Sequence, residues 1–158
     1  MLDSYKNDIE WSKSNRKKIA QASKKLTSNN HIDKIINKLH DDVFENVNCL
    51  NCANCCKTVG PLLTPTDIRR LSKHQKMSES DFVDAYLRLD EDDDFVFKTM
   101  PCPFLLEDNS CSVYTIRPRA CRGFPHTDQQ GQKAIMEFTR KNAKVCPAVS
   151  RIFQHLSA

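Results

Sequence analysis

The sequence predicts a mainly α-helical, small domain with irregular cysteine-rich loops and an N-terminal helical arm. Three observations predict it. Apolar residues near the front recur at helical spacing, two helix starts are written out by capping residues, and all eight cysteines fall between positions 49 and 146 of the 158 residues. The last of these divides the chain into an arm, 1–45, and a cysteine-cluster domain, 46–158.

In the arm, Ile32, Ile35, Ile36, Leu39 and Val43 form a helical apolar stripe. The stretch Tyr5–Leu26 is polar, with Ile9, Trp11, Ile19 and Leu26 as its large anchors, and reads as one loosely packed helix. From Lys13 to Lys38 eight basic residues stand against one acid, Asp33. Such a run favours an acidic partner or nucleic acid in principle, but a solvated helix face is the simpler reading, so no nucleic-acid partner is expected.

Thr64-Pro65-Thr66-Asp67 sets a cap, a proline at the first helical position and an acid at the third. Ile68 and Leu71 then open an apolar face. Ser78-Glu79-Ser80-Asp81 repeats the capping logic, with Phe82, Val83, Tyr86 and Leu87 as the inner side of a second helix. The acidic run Asp90–Asp94 reads as an exposed loop without the spaced ligands of a calcium site, and Phe95–Phe97 as a short strand. Residues 101–125, rich in Cys, Pro and Arg, read as irregular backbone. Pro147 opens a last helix with Ile152, Phe153 and Leu156 inside.

A hydrophobic fraction of 39 % and a charged fraction of 28 % leave room for only a small core. No apolar run approaches the roughly 20 residues that span a bilayer, and no export signal follows the first basic residues, so a cytoplasmic location without a membrane partner is expected. Thiols are kept reduced there, and eight of them point to metal or catalysis before disulfides. Cys49-x2-Cys52-x2-Cys55-Cys56 is the strongest signal: a two-residue gap lets a tight turn aim two sulfurs at one ion or cluster. Cys102, Cys111, Cys121 and Cys146 bring the count to two four-sulfur sites, or to one site with spares. The scattered four read as the distant wall of the centre that the compact four begin. Adjacent Cys55 and Cys56 diverge, so they serve different ions or bridge a polynuclear centre. Thiolates need N–H donors around them, and Lys57, Arg117, Arg119 and Arg122 are the basic neighbours. The domain is therefore expected to be stapled by metal.

Several stretches together resemble a known family. Cys49-x2-Cys52-x2-Cys55-Cys56, Leu63-Thr64-Pro65-x-Asp67-Ile68, Pro101-Cys102-Pro103-Phe104-Leu105 and Cys111-Ser112-Val113-Tyr114-x2-Arg117-Pro118-x2-Cys121-Arg122-x-Phe124-Pro125 are similar to the YkgJ-type cysteine-cluster proteins, the zinc- or iron-chelating CxxCxxCC domains. Cys146-Pro147 is the trailing element, and the arm carries none of these motifs. The resemblance implies metal chelation by the matched cysteines, as Zn²⁺ or as an iron–sulfur cluster such as 4Fe–4S, makes Arg117 and Arg122 of the matched motif the stronger candidates for contact with the bound group, and implies no particular reaction. Bacterial flagellin lysine methylase carries a related cluster, which makes an iron–sulfur-dependent redox or group-transfer enzyme one alternative. A zinc-stapled adaptor that binds an acidic partner or nucleic acid is another. No glycine-rich nucleotide loop is present, and the cysteine after Cys55 does not follow the ferredoxin spacing. His126 reads as a loop histidine, His31, His40, His74 and His155 as helix-surface residues, and Tyr114 as a ring packed against the site. No residue is assigned a catalytic role, and no protein partner is identified.

Overall fold

The computed structural model describes residues 1–158. Nine α-helices and three short strands account for most of the chain, so it is mainly α, as the sequence predicts. It divides into two compact units, one made of residues 1–52 with 125–158 and the other of residues 53–124. This cut differs from one at 45/46, because the first three helices share their core with the last two.

The first unit holds α1 (Asp3–Ser14), α2 (Arg16–Thr27), α3 (Ile32–Phe44), α8 (Gln132–Asn142) and α9 (Pro147–Leu156). Its core joins Tyr5, Ile19, Leu26, Ile32, Ile36 and Val43 to Met136, Val149, Ile152 and Phe153. The stretch expected as one loose helix is two helices that meet at Asn15. Each is anchored: Tyr5 and Ile9 of α1 and Ile19 and Leu26 of α2 are buried. The polar residues hid this, because one turn of apolar side chains per helix is enough when a long partner helix covers it.

Polar contacts fix how these helices meet. The fully buried Ser12 hydroxyl donates to the Ser150 hydroxyl at 2.8 Å, and the Arg151 guanidinium meets the Asp8 carboxylate at 2.7 Å. Asp33 of α3 accepts from the N–H groups of Gly131 and Gln132 at 3.0 and 2.8 Å. It thus caps α8 from a distant element, a task the Gly131 N-cap has no side chain to perform.

The second unit holds α4 (Asn54–Thr58), β1 (Leu62–Leu63), α5 (Pro65–His74), α6 (Glu79–Tyr86), β2 (Leu87–Leu89), β3 (Phe95–Phe97) and α7 (Arg119–Gly123). The strands form an antiparallel sheet in the order β1-β3-β2. Phe82 and Leu71 are fully enclosed, and Leu63, Ile68, Leu87, Phe97, Phe104 and Val113 complete the core around them. Both helix starts hold: Thr64 and Asp67 form a reciprocal capping box at α5, and the Ser78 hydroxyl accepts from Asp81 N–H at α6. Leu87, expected on α6, is the first residue of β2 instead and pairs with Phe97. The acidic run is an exposed turn in which the Asp90 carboxylate accepts from the N–H groups of Asp92 and Asp94. Residues 101–118 carry one 3₁₀ turn at Tyr114–Ile116 and a single bridge between Leu105 and Cys111.

No helix is long and apolar enough to cross a membrane.

Candidate metal centres

The first cysteines sit on a 3₁₀ turn, Cys49–Asn51, in the first unit. Asn48 caps it, its side chain accepting from Leu50 N–H at 2.9 Å. Helix α1 holds the turn from outside: Asn48 N–H donates to the Tyr5 hydroxyl at 3.0 Å, and Leu2 N–H to the Asn51 carbonyl at 3.3 Å. Cys52 is buried, its Sγ 3.7 Å from the Met1 thioether sulfur. Cys146 stands at the N-cap of α9, where Pro147 takes the first helical position. Burial pushes the Cys146 thiol up to about 12; the N–H groups of Val149 and Ala148 aimed at its sulfur pull the other way, and negative charge on Cys49 and Cys52 raises it further. These three cysteines therefore lie within electrostatic reach of one another.

In the second unit, Ala53 adopts a left-handed φ of 50° as the N-cap of α4, which carries Cys55 and Cys56. That region is costly for a residue with a Cβ, by about 1–2 kcal/mol. Gly60 closes the other end of α4 at φ 69°, its N–H donating to the Cys55 carbonyl. The positive φ favours glycine, and a Cβ there would press on the Met100 side chain, whose Sδ lies 3.0 Å away.

Cys56 is joined to the later cysteines by backbone as well as charge. Cys102 N–H donates to the Cys56 carbonyl at 2.7 Å. The side chain of Cys55, with its sulfur 4.0 Å from that of Cys56, holds the Cys56 thiol down at about 7; burial opposes this and Lys57 assists it. The neighbours move the other way. Burial pushes Cys102 up to about 11 against the N–H groups of Phe104 and Leu105, with charge on Cys56 and Cys111 adding to the rise. Cys121 is pushed up to about 12 by burial and then by Cys56, Cys102 and Cys111. Cys111 is raised by burial and by Cys56, while the Val113 N–H and the Arg117 charge oppose.

The eight sulfurs thus sort into Cys49, Cys52 and Cys146 in one unit and Cys56, Cys102, Cys111 and Cys121, with Cys55 beside Cys56, in the other. This is not the division by sequence proximity, which set Cys146 with Cys102, Cys111 and Cys121. Cys146 is placed by the start of α9, and nothing in its spacing announces which unit that helix joins. No disulfide joins any of the eight. No three His, Cys, Asp or Glu side chains converge tightly enough on one point to hold an ion as placed.

Of the basic candidates, Arg117 acts on Cys111 and Cys121, lowering both. Its guanidinium lies 3.9 Å over the Tyr114 ring and donates to the Tyr114 carbonyl. Tyr114 itself is 62 % exposed, so its ring carries the arginine and is not packed inward. Arg122 is exposed and donates to the Arg117 carbonyl at 3.2 Å. Arg119 contributes its backbone N–H to Asp67. His126 belongs to the loop before α8, where its Nδ1 meets the Gln129 amide.

Sequence reasoning missed Arg70. Its Nη2 bonds Asp67 at 2.7 Å and the Arg117 carbonyl at 2.9 Å, while Nε bonds the Ile116 carbonyl at 2.9 Å. The capping pattern at Thr64 gives away Asp67, but a lone arginine on a helix gives no such signal. Burial alone would raise the Asp67 carboxyl. The Thr64 N–H and hydroxyl, the Arg119 N–H and Arg70 outweigh it and hold the group below the usual carboxylate range.

A family model matches residues 48–147, more than half of the chain, and carries the description CxxCxxCC, "Putative zinc- or iron-chelating domain". The chain belongs to the CxxCxxCC family. The match takes in all eight cysteines and begins beyond the first three helices. The comparisons with curated proteins and with solved structures gave no match.

Proposed function

We propose that this CxxCxxCC protein holds zinc or iron through two separate cysteine sets. Cys56, Cys102, Cys111 and Cys121 form one, and Cys49, Cys52 and Cys146 supply the other; Cys55 adjoins the first. The observation that carries the reading is electrostatic. After burial, charge on Cys56, Cys102 and Cys111 raises the pKa of Cys121 in one unit, and charge on Cys49 and Cys52 raises that of Cys146 in the other, as happens where thiolates would crowd one place. A cation among them reverses that repulsion, since a coordinating thiol is deprotonated outright. The donor set fits the group: sulfur ligands select zinc or iron–sulfur chemistry, and the N–H groups aimed at Cys102, Cys111 and Cys146 are the support thiolates need. Arg117 balances the negative charge left on Cys111 and Cys121.

Bound zinc would supply folding free energy to units with small cores; a 4Fe–4S cluster would add redox chemistry. Anaerobic purification with elemental analysis, a sulfide assay and a visible spectrum separates them. Colourless protein with stoichiometric zinc assigns the staple, and brown protein with iron and labile sulfide assigns the cluster. Protein that takes up neither metal overturns the proposal.

A further inference from the structure

We infer that Asp67 and Arg70 are positioning residues for the Cys56, Cys102, Cys111 and Cys121 set, acting through the segment that carries Cys111 and Cys121. The inference rests on the proposed metal reading and adds to it two residues that bear no sulfur.

One carboxylate serves two helix starts. Asp67 Oδ2 accepts from Thr64 N–H and the Thr64 hydroxyl, which begins α5. Its Oδ1 accepts from Arg119 N–H at 3.1 Å, within the first turn of α7, the short helix that bears Cys121. Arg70 then spans the gap. From Asp67 its guanidinium reaches the carbonyls of Ile116 and Arg117, so the turn between Cys111 and Cys121 is tied to α5 at both 116–117 and 119. That turn has no strand or long helix of its own to fix it. The pair is enclosed: the Asp67 side chain is 1 % exposed and that of Arg70 28 %. A neutral amide at 67 cannot accept four donors at once, because one of its two heads is itself a donor.

Two further guanidiniums bond within the segment. Arg117 donates to the Tyr114 carbonyl and Arg122 to the Arg117 carbonyl. These exposed contacts brace the segment against itself. The start of the segment is held to the Cys102 loop by the Leu105–Cys111 bridge and by Ser112 N–H on the Phe104 carbonyl, whereas Asp67 and Arg70 are the side chains that tie its 116–119 turn to α5 and so help set where Cys111 and Cys121 stand relative to Cys56 and Cys102.

The test is residue-resolved alkylation of the full chain, purified anaerobically with its metal, compared with the same chain after chelation. Asp67→Asn, and independently Arg70→Gln, which leaves the α5 capping box intact, are each expected to raise alkylation of Cys111 and Cys121 by about tenfold or more in the metal-loaded chain, while Cys49, Cys52 and Cys146 keep their protection. Phe82→Leu, a core change in the same unit with a comparable loss of Tm, is expected to leave all of them protected. Unchanged protection in both variants overturns the inference. So does equal loss in Phe82→Leu, which would reduce the pair to ordinary structural support. If the unsubstituted chain shows no metal-dependent protection of Cys56, Cys102, Cys111 and Cys121, the metal reading itself fails and this inference falls with it. Should Asp67→Asn fail to fold, Arg70→Gln alone decides.

Discussion

The backbone N–H of Cys102 donates to the carbonyl oxygen of Cys56 at 2.7 Å. This bond ties the end of the CxxCxxCC run to a cysteine 46 residues later, and it does so through backbone atoms that a Cys→Ser substitution leaves in place. Cys56→Ser and Cys102→Ser should therefore leave the backbone joined while each opens the same sulfur set. The double variant is expected to lose no more metal than either single one, because residues acting as one unit are not additive. Elemental analysis of the three proteins checks this; a double loss equal to the sum of two partial losses would separate the residues.

Metal loading should release protons. Cys102 at about 11, Cys121 at about 12 and the raised Cys111 are protonated near neutral pH, whereas Cys56 at about 7 is partly ionised. Filling their set then expels one proton each from Cys102, Cys111 and Cys121 and a fraction of one from Cys56, so affinity rises with pH. Calorimetric titration in two buffers of different ionisation heat reads the number directly. Release of less than one proton would exclude these thiols as ligands.

Chelation should lower the melting temperature. Metal present at about 1,000 times its Kd stabilises a fold by about 4 kcal/mol. For a chain of this length that corresponds to roughly 10 °C. Differential scanning calorimetry before and after chelation measures it, and an unchanged Tm would mean that the ion contributes nothing to folding.

Acid sensitivity should trace to Asp67. Its carboxyl is held below the ordinary range in the fold, so its contribution is fully present above the unfolded value of about pH 4. It is lost as pH falls through the folded value. In chelated protein, the stability gap between the unsubstituted chain and Asp67→Asn is expected to be constant from neutral pH down to about pH 4 and to narrow below it. Denaturant midpoints across that range check the sign, and a gap that widens in acid contradicts it.

Much of this molecule was legible in its sequence, and the exceptions share a cause. The starts of α5, α6 and α9 are local events, written by Thr64, Ser78 and Pro147, and each stands where expected. The stripe of Ile32, Ile36 and Val43 likewise reports its own burial. What spacing does not carry is which distant element comes to meet a residue. Asn15 breaks a polar stretch into two helices because both pack beneath α8 or α9, and Cys146 joins Cys49 and Cys52 because α9 lies against α1 and α3. Asp67 looked like a cap for its own helix, and it is one; its service to Arg119 needs the fold to be seen.

The central claim, two separate sulfur sets, is tested most directly by metal content per chain in Cys121→Ser, Cys146→Ser and the double variant, purified anaerobically beside the unsubstituted protein. The account predicts that each single substitution removes only its own share and that the double variant is empty. A single substitution that removes all of the metal, or a double variant that retains it, would contradict the account.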